Sequence, residues 1–223
     1  MATTAAVSIL WQELLLIFKT KKSTGMSIQK INPRFATLLL FMIAVAAMRI
    51  PNAAQVTPWA HFTPIGAMGL FGGTYFTSKW KAFAFPLLTL FVSDLIINTI
   101  IFDGKYGVMY SGWYIIYGIF ALVVLFGKLL IKNVTIKNVA LAAIAAALSH
   151  WLIADFTVWV GGGTDLRTMV PLTKNWAGLM QCYAQGFPFM KNFLIGNLVY
   201  SGIMFGSFEL LQQRYPELRM QTA

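Results

Sequence analysis

The sequence predicts an all-α polytopic membrane protein in which six transmembrane helices form one bundle. Only 11% of its 223 residues are charged, whereas 58% are hydrophobic. A soluble domain carries about 25% charged residues, so this chain lacks the side chains for an ordinary water-facing surface. The apolar residues also fall into six segments separated by polar or basic stretches, with no repeat or linker between them. We therefore expect one membrane domain.

The six predicted spans cover residues 35–50, 64–77, 82–101, 112–126, 138–160 and 192–211. Several are shorter than the roughly 20 residues that cross a bilayer core. The second span in particular must be shielded by its neighbours or must thin the bilayer. Residues 176–190 are apolar but contain Gln181, Gln185, Gly186 and Pro188. We expect this stretch to form a separate short helix at the surface or a re-entrant segment, not a seventh span.

The two ends of the chain are predicted to be cytoplasmic: a segment 1–30, then the membrane domain 31–211, then a tail 212–223. The apolar residues near the start are interrupted by Gln12 and Glu13, which leaves them too short to span. Their order, apolar first and basic second, is the reverse of a signal peptide. Two interpretations stay open, namely an interfacial amphipathic helix and a true translation start at Met26.

Lys and Arg residues set the predicted orientation. Of the 17, 12 fall on the side of both termini and 5 on the other, or 9 and 5 without the first 25 residues. The positive-inside rule then places both termini in the cytoplasm, with the protein in a bacterial inner membrane and segments 51–63, 102–111 and 161–190 outside. The bias also accounts for the net charge of +10, so the expected partner is the lipid bilayer and not nucleic acid.

The motifs of common enzyme and cofactor sites are missing from the sequence. It contains no HExxH zinc motif, no P-loop and no dinucleotide fingerprint. The single cysteine, Cys182, cannot form an internal disulfide or a cysteine metal cluster. We therefore expect no enzyme activity and no cofactor or metal. One alternative stays open, an intramembrane acid–base set of Asp94, Asp155 and His150.

Polar side chains within the spans are the first candidate binding residues. Charges inside a membrane are rare and costly, and they point to function by default. With the third and fifth spans running outward and the sixth inward, these side chains gather toward the outer leaflet, which predicts a ligand pocket open to the outside. The structural alternatives are interhelical hydrogen bonds, a core histidine at position 150 and a hydrated carboxylate at position 155. The candidates are Asp94, Asn98, His150, Asp155 and Asn197.

An irregular stretch leads into the second span and supplies the other candidates. Glycines at positions 66, 69, 72 and 73 permit close approach by another helix or a ligand. Trp59, His61 and Phe62 form an aromatic group just before them. We expect these three residues to act as a lid over the ligand. The alternative is an aromatic belt at the membrane interface.

Several short motifs carry a resemblance to known families. "NPRF" at 32–35, "FTPIGAMGLFGG" at 62–73, "SDLI" at 93–96 and "FPFMKNFLIGNLVYSGIMFGSFELL" at 187–211 resemble an uncharacterised bacterial integral-membrane family common in Bacteroidetes, over residues 31–211. The six spans, the long first outer loop and "FPLLTLFVSDLI" at 85–96 are also similar to the S components of energy-coupling factor (ECF) vitamin transporters. The first span lacks the Ala-xxx-Ala face on which many S components dock, and Ala142/Ala146 and Ala143/Ala147 lie in the fifth span instead.

The resemblance implies an S-component-like fold and a function in uptake. The chain would bind a vitamin or similar small molecule from the outer face, with an ECF-type coupling subunit and ATPases as partners. Cobalamin is the first guess, because the outer loop is aromatic and His61 is available for cobalt. The alternative is a non-transport protein that supports the structure or assembly of an envelope complex.

Overall fold

Helices dominate the computed structural model, which describes residues 32–53, 62–105 and 107–219. The chain divides into two compact units, Met1–Asn32 and Pro33–Ala223, and every element below belongs to the second. The predicted segment 1–30, with both interpretations of it, lies outside the described residues. So do Trp59 and His61 of the predicted lid.

Six α-helices occur among the described residues, close to the six predicted spans. They are α1 (Pro33–Ala53), α2 (Ile65–Tyr75), α3 (Lys79–Ile96), α4 (Trp113–Leu130), α5 (Ile136–Val160) and α6 (Trp176–Arg214). A π-helix, Ile97–Ile101, extends α3, and a 3₁₀-helix, Pro216–Leu218, follows α6. Two short antiparallel strands, β1 (Thr164–Asp165) and β2 (Val170–Pro171), lie between α5 and α6.

Four of these helices are long and apolar enough to cross a membrane: α3 with its π extension, α4, α5 and α6. Only 28–33% of their most apolar windows is buried within the protein. Apolar side chains on the remaining surface are unfavourable in water but are expected against lipid. These four helices indicate a membrane-embedded protein.

The shortest helix, α2, occupies the centre of the bundle. It has 11 residues, and all but Thr74 are buried. It contacts each of the other five α-helices. A helix that is apolar on every face lies in a protein core or in lipid, and here the neighbouring helices surround α2. Of the two alternatives for this short span, the structure shows the first, shielding by neighbouring helices.

The final helix, α6, corrects one sequence-based expectation. Residues 176–190 do not form a separate helix, because α6 runs unbroken for 39 residues through Pro188. Two of the residues that suggested a break, Gln185 and Gly186, instead contact neighbouring elements of the structure. Gln185 accepts a hydrogen bond from the Leu166 N–H and donates to the Thr164 carbonyl, which ties β1 to α6. Gly186 leaves space for the Asp155 carboxylate of α5.

The bundle has two ends that differ in character. We call the end with segments 62–64 and 102–112 the loop end, and the end with segments 76–78 and 131–135 the basic end. At the basic end, Arg34 of α1 donates to the carbonyl oxygens of Tyr75 and Leu218. Tyr75 in turn donates to Glu209 of α6 over 2.5 Å. This network joins α1, α2, α6 and the 3₁₀-helix at one end of the molecule.

Candidate functional site

A cavity of about 420 Å³ lies at the loop end of the bundle. Its lining comes from α1, α2, α3 with its π extension, α4, α5, α6 and the segments next to them. The volume falls within the range of pockets that hold small organic ligands. The lining is mainly apolar, with a few convergent polar groups. The cavity is lined by Arg49, Thr63, Ile65, Leu90, Asp94, Ile97, Asn98, Phe102, Tyr110, Ile116, Phe120, His150 and Phe193.

An ion pair between Arg49 and Asp94 is the main electrostatic feature of this cavity. The two side chains approach to 2.5 Å, and the same Arg49 nitrogen donates to the Ser93 hydroxyl over 2.7 Å. The second Asp94 oxygen accepts a hydrogen bond from the Tyr117 hydroxyl over 2.9 Å. The charge of Asp94 is thus balanced by Arg49, and each of its oxygens has a partner, which offsets the cost of burying a carboxylate in an apolar bundle.

Arg49 is better placed than Asp94 to meet a ligand. Its side chain is 21% exposed, against 2% for Asp94. A guanidinium carries five N–H donors in a planar fork, and the contacts to Ser93 and Asp94 both use one nitrogen. Asp94 therefore orients the guanidinium, while the rest of the fork suits a carboxylate, phosphate or carbonyl group.

The π-helix at the end of α3 shapes one wall. Single turns of π-helix often occur at functional sites, because the extra residue redirects side chains. Here Ile97 and Asn98 are buried and both line the cavity. The Asn98 amide donates to the Val108 carbonyl over 3.3 Å, which fastens the segment after the π-helix over the site.

Tyr110, from the segment between α3 and α4, adds a neutral polar group. Burial and then the negative charge of Asp94 raise the pKa of Tyr110 above its usual value. The phenol therefore keeps its proton at physiological pH and remains a hydrogen-bond donor.

Aromatic rings form the deeper wall of the cavity. The His150 ring packs against Phe193 at 4.8 Å and Phe120 at 5.8 Å between ring centroids. Aromatic rings favour tilted contacts of this kind with one another. The cavity thus combines a wall of aromatic rings with one oriented cation.

The structure brings together only some of the residues predicted from sequence. Asp94, Asn98 and His150 line the same cavity. Asp155 does not line it, because its carboxylate packs against Gly186 of α6 and its carbonyl accepts from the Cys182 thiol. Asp155 is therefore not among the residues that line the cavity with Asp94 and His150, and the acid–base set of these three residues stays a prediction.

Phe62 and Asn197 lie beside the cavity without lining it. The Phe62 ring packs on Tyr200 of α6 at 5.4 Å. Asn197 is fully buried, with its amide against Gly66 of α2. The sequence predicts that the glycines permit close approach by another helix or a ligand, and the structure shows close approach by helices. A side chain at Gly66 would collide with α6 and one at Gly73 with α4, and one at Gly69 would lie tightly against α4.

Sequence reasoning missed Arg49, Tyr110 and Tyr117. Arg49 ends an apolar span, and such a basic residue is ordinarily assigned to the interface. One signal was available: Asp94 lies at a similar depth on another span, and a buried carboxylate requires a partner. The tyrosines carried no such signal, because aromatic residues are frequent throughout the chain.

Comparison with known families decides the relationship of the chain. A family model matches residues 29–218. The chain belongs to DUF6580, a family of unknown function. The match includes all six α-helices, so the cavity lies wholly within the DUF6580 region. No curated protein and no solved structure matches this DUF6580 chain.

Proposed function

We propose that this protein binds a small molecule in the loop-end cavity as part of an uptake system. The observation that carries the proposal is the Arg49–Asp94 pair inside a 420 Å³ cavity. A helix bundle needs no buried ion pair for stability, since apolar residues of similar volume pack as well or better. An oriented guanidinium beside aromatic rings instead supports recognition of a ligand.

The ligand class follows from the lining. A ring-containing body would lie against Phe120, His150 and Phe193, and a carboxylate, phosphate or carbonyl group would meet Arg49. The site pairs its charges, so a neutral or singly charged molecule fits best. The volume favours a compact vitamin of one or two rings over cobalamin.

The arrangement of the membrane domain supports uptake from outside. The basic end carries Arg34, Lys79, Lys81, Lys128, Lys132 and Lys137, and the positive-inside rule places such an end in the cytoplasm. The cavity would then face the outer side of a bacterial inner membrane, with both termini inside. An S-component-like role with an ECF-type coupling subunit and ATPases remains part of the proposal.

Native mass spectrometry of the purified full chain tests the binding function. We expect the wild-type protein to retain a small molecule and Arg49→Gln to lose it. Phe102→Ala, which changes the cavity outside the ion pair, should weaken retention as well. Arg167→Gln is the matched control, because Arg167 pairs with Asp165 in the β-hairpin and does not line the cavity.

The result also separates this function from the alternative. A protein that folds but carries no small molecule, and that is isolated with other envelope proteins, would instead support a structural or assembly role. Equal retention by Arg49→Gln and Arg167→Gln would place the ligand outside the cavity described above.

A further inference from the structure

A second cavity, of about 330 Å³, lies at the basic end of the bundle. The start of α5 and the carboxyl half of α6 line it, with Ser201, Phe205 and Glu209 among the residues of α6. It shares no lining residue with the loop-end cavity. Its lining includes Ile136 and Leu198, which are exposed, so it is a groove between α5 and α6 that opens at the bundle surface, toward the opposite end from the first cavity.

One face of α6 connects the two cavities. Phe193 lines the first cavity and Ser201 lines the second, and Asn197 lies between them. Successive members of this series are four residues apart, so they lie one above the other on the same helix face. Thr63, which also lines the first cavity, lies beside α6 at Gly196.

The polar groups along this face have no structural partner. The Thr63 hydroxyl, both polar atoms of the Asn197 amide and the Ser201 hydroxyl are buried without a hydrogen bond to any described residue. Asn197 and Ser201 are 0% and 1% exposed. Buried polar groups in proteins are almost always paired. Three such groups in a row are available to a passing polar molecule, as expected for a transport path; the other buried atoms of this kind among the described residues, on Trp151 and Asp155, lie on α5.

Close glycine contacts separate this row of polar groups from α2 and the segment before it. Asn197 packs against Gly66 of α2 so closely that a methyl group at Gly66 would collide with its amide. Gly196 lies against the backbone of Thr63 on the same boundary. Gly66 of α2 meets α6 here and Gly196 of α6 meets the segment before α2, whereas a hydrogen bond from Tyr75 to Glu209 joins α2 and α6 at the basic end.

We propose that the seam between α2 and α6 is a translocation path, and that this chain itself carries its ligand across the membrane. The inference rests on the proposed binding function. The ligand leaves the loop-end cavity past Thr63, Asn197 and Ser201 when the two helices separate at their glycines, and it reaches the basic-end cavity. Because the row offers only neutral hydrogen-bonding groups, the path suits neutral or zwitterionic molecules and not bare ions.

Cysteine accessibility tests the path without any ligand. Cys182 is replaced by serine, and single cysteines are introduced as Thr63→Cys, Asn197→Cys and Ser201→Cys. Vesicles of both orientations are treated with a charged, membrane-impermeant thiosulfonate. Lys105→Cys and Asn133→Cys, both exposed at opposite ends of the bundle, report which face the reagent reaches.

We expect Thr63→Cys and Asn197→Cys to react from both faces, and Ser201→Cys to react at least from the basic-end face. Ser207→Cys is the matched control on α6, because the Ser207 hydroxyl bonds to the Ile203 carbonyl and lines neither cavity. It should stay unmodified. If Asn197→Cys does not assemble, Thr63→Cys alone decides.

Protection of both Thr63→Cys and Asn197→Cys from the basic-end reagent would overturn the path. Retention of a small molecule in the same preparation would then leave the binding function standing, with translocation assigned to another protein. Reaction of Ser207→Cys at the rate of Asn197→Cys would also overturn it, since the labelling would then reflect general loosening of α6.

Discussion

Single residues at the loop-end cavity show how a membrane protein accommodates charge. Asp94 could be identified from the sequence because a carboxylate in an apolar span has few explanations. Its partner Arg49 could not be identified, because a long arginine side chain at the end of a span can equally well reach the membrane interface. The pairing depends on how α1 lies against α3, and that packing is not encoded in either span alone.

The Arg49–Asp94 pair gives the first prediction at this scale. Breaking a buried pair costs about 3–5 kcal/mol, but the partial exposure of Arg49 lets water replace part of the lost contact. We expect Asp94→Asn to lower the unfolding free energy by about 1–3 kcal/mol. Arg49→Gln combined with Asp94→Asn should cost less than the sum of the single changes, with a coupling of about 0.5–3 kcal/mol.

Thermal unfolding of the wild type, both single variants and the double variant in detergent measures this coupling. Strictly additive effects would show that the two side chains do not interact. Ser93→Ala is a useful companion, because it removes one Arg49 contact and leaves both charges in place.

A second prediction concerns Gly66 and Asn197. Gly66→Ala should lower stability by about 1–3 kcal/mol, the usual cost of overpacking, because the added methyl group meets the Asn197 amide. Asn197→Ala should relieve this clash, so the double variant should be more stable than Gly66→Ala alone. Melting temperatures of the three variants provide the measurement, and a double variant no better than Gly66→Ala would contradict the contact.

At the scale of elements, the sequence predicts helices better than it predicts their ends. All six helices lie near their predicted positions, because apolar runs bounded by polar residues carry a strong signal. The break assigned to 181–188 was wrong for a specific reason. Gln185 and Gly186 resemble loop residues, yet their roles are contacts with the β-hairpin and with Asp155. Partners of this kind are invisible in a single segment.

The close backbone contact between α2 and α4 predicts which glycine substitutions lower stability. A side chain at Gly73 would meet the Val124 carbonyl of α4, and one at Gly127 of α4 would meet the Leu70 carbonyl of α2. Backbone cannot give way as a flexible side chain can, so Gly73→Ala and Gly127→Ala should each cost about 1–3 kcal/mol.

Gly118 of α4 is the matched control for these two changes. It lies in the same helix as Gly127, but nothing lies within 4 Å of an added methyl group. Gly118→Ala should therefore be neutral or stabilise by up to about 1 kcal/mol through helix propensity. The expression level and melting temperature of the three variants, each compared with the wild type, measure these effects. Similar losses at all three positions would mean that α2 and α4 are not in close backbone contact.

In the whole molecule, different kinds of contact join the helices at the two ends of the bundle. The basic end is held by a network of Arg34, Tyr75 and Glu209 together with packed rings, in which Tyr75 and Phe208 approach to 4.5 Å. The loop end contains the cavity, an ion pair and a glycine contact. Hydrogen bonds and packed rings thus join the helices at the basic end, whereas an ion pair and a close glycine contact join them around the cavity at the loop end.

The orientation of the bundle in the membrane determines from which side the proposed ligand would enter the cavity. A cysteine introduced as Ile136→Cys, at a position 92% exposed at the basic end, should be protected from an impermeant maleimide in intact cells and should react after lysis. Lys105→Cys should react in intact cells. The reason is that Lys and Arg residues flanking short loops stay in the cytoplasm. The reverse pattern would turn the Arg49–Asp94 cavity toward the cytoplasm, and the same cavity would then have to collect its ligand inside the cell, as an exporter does.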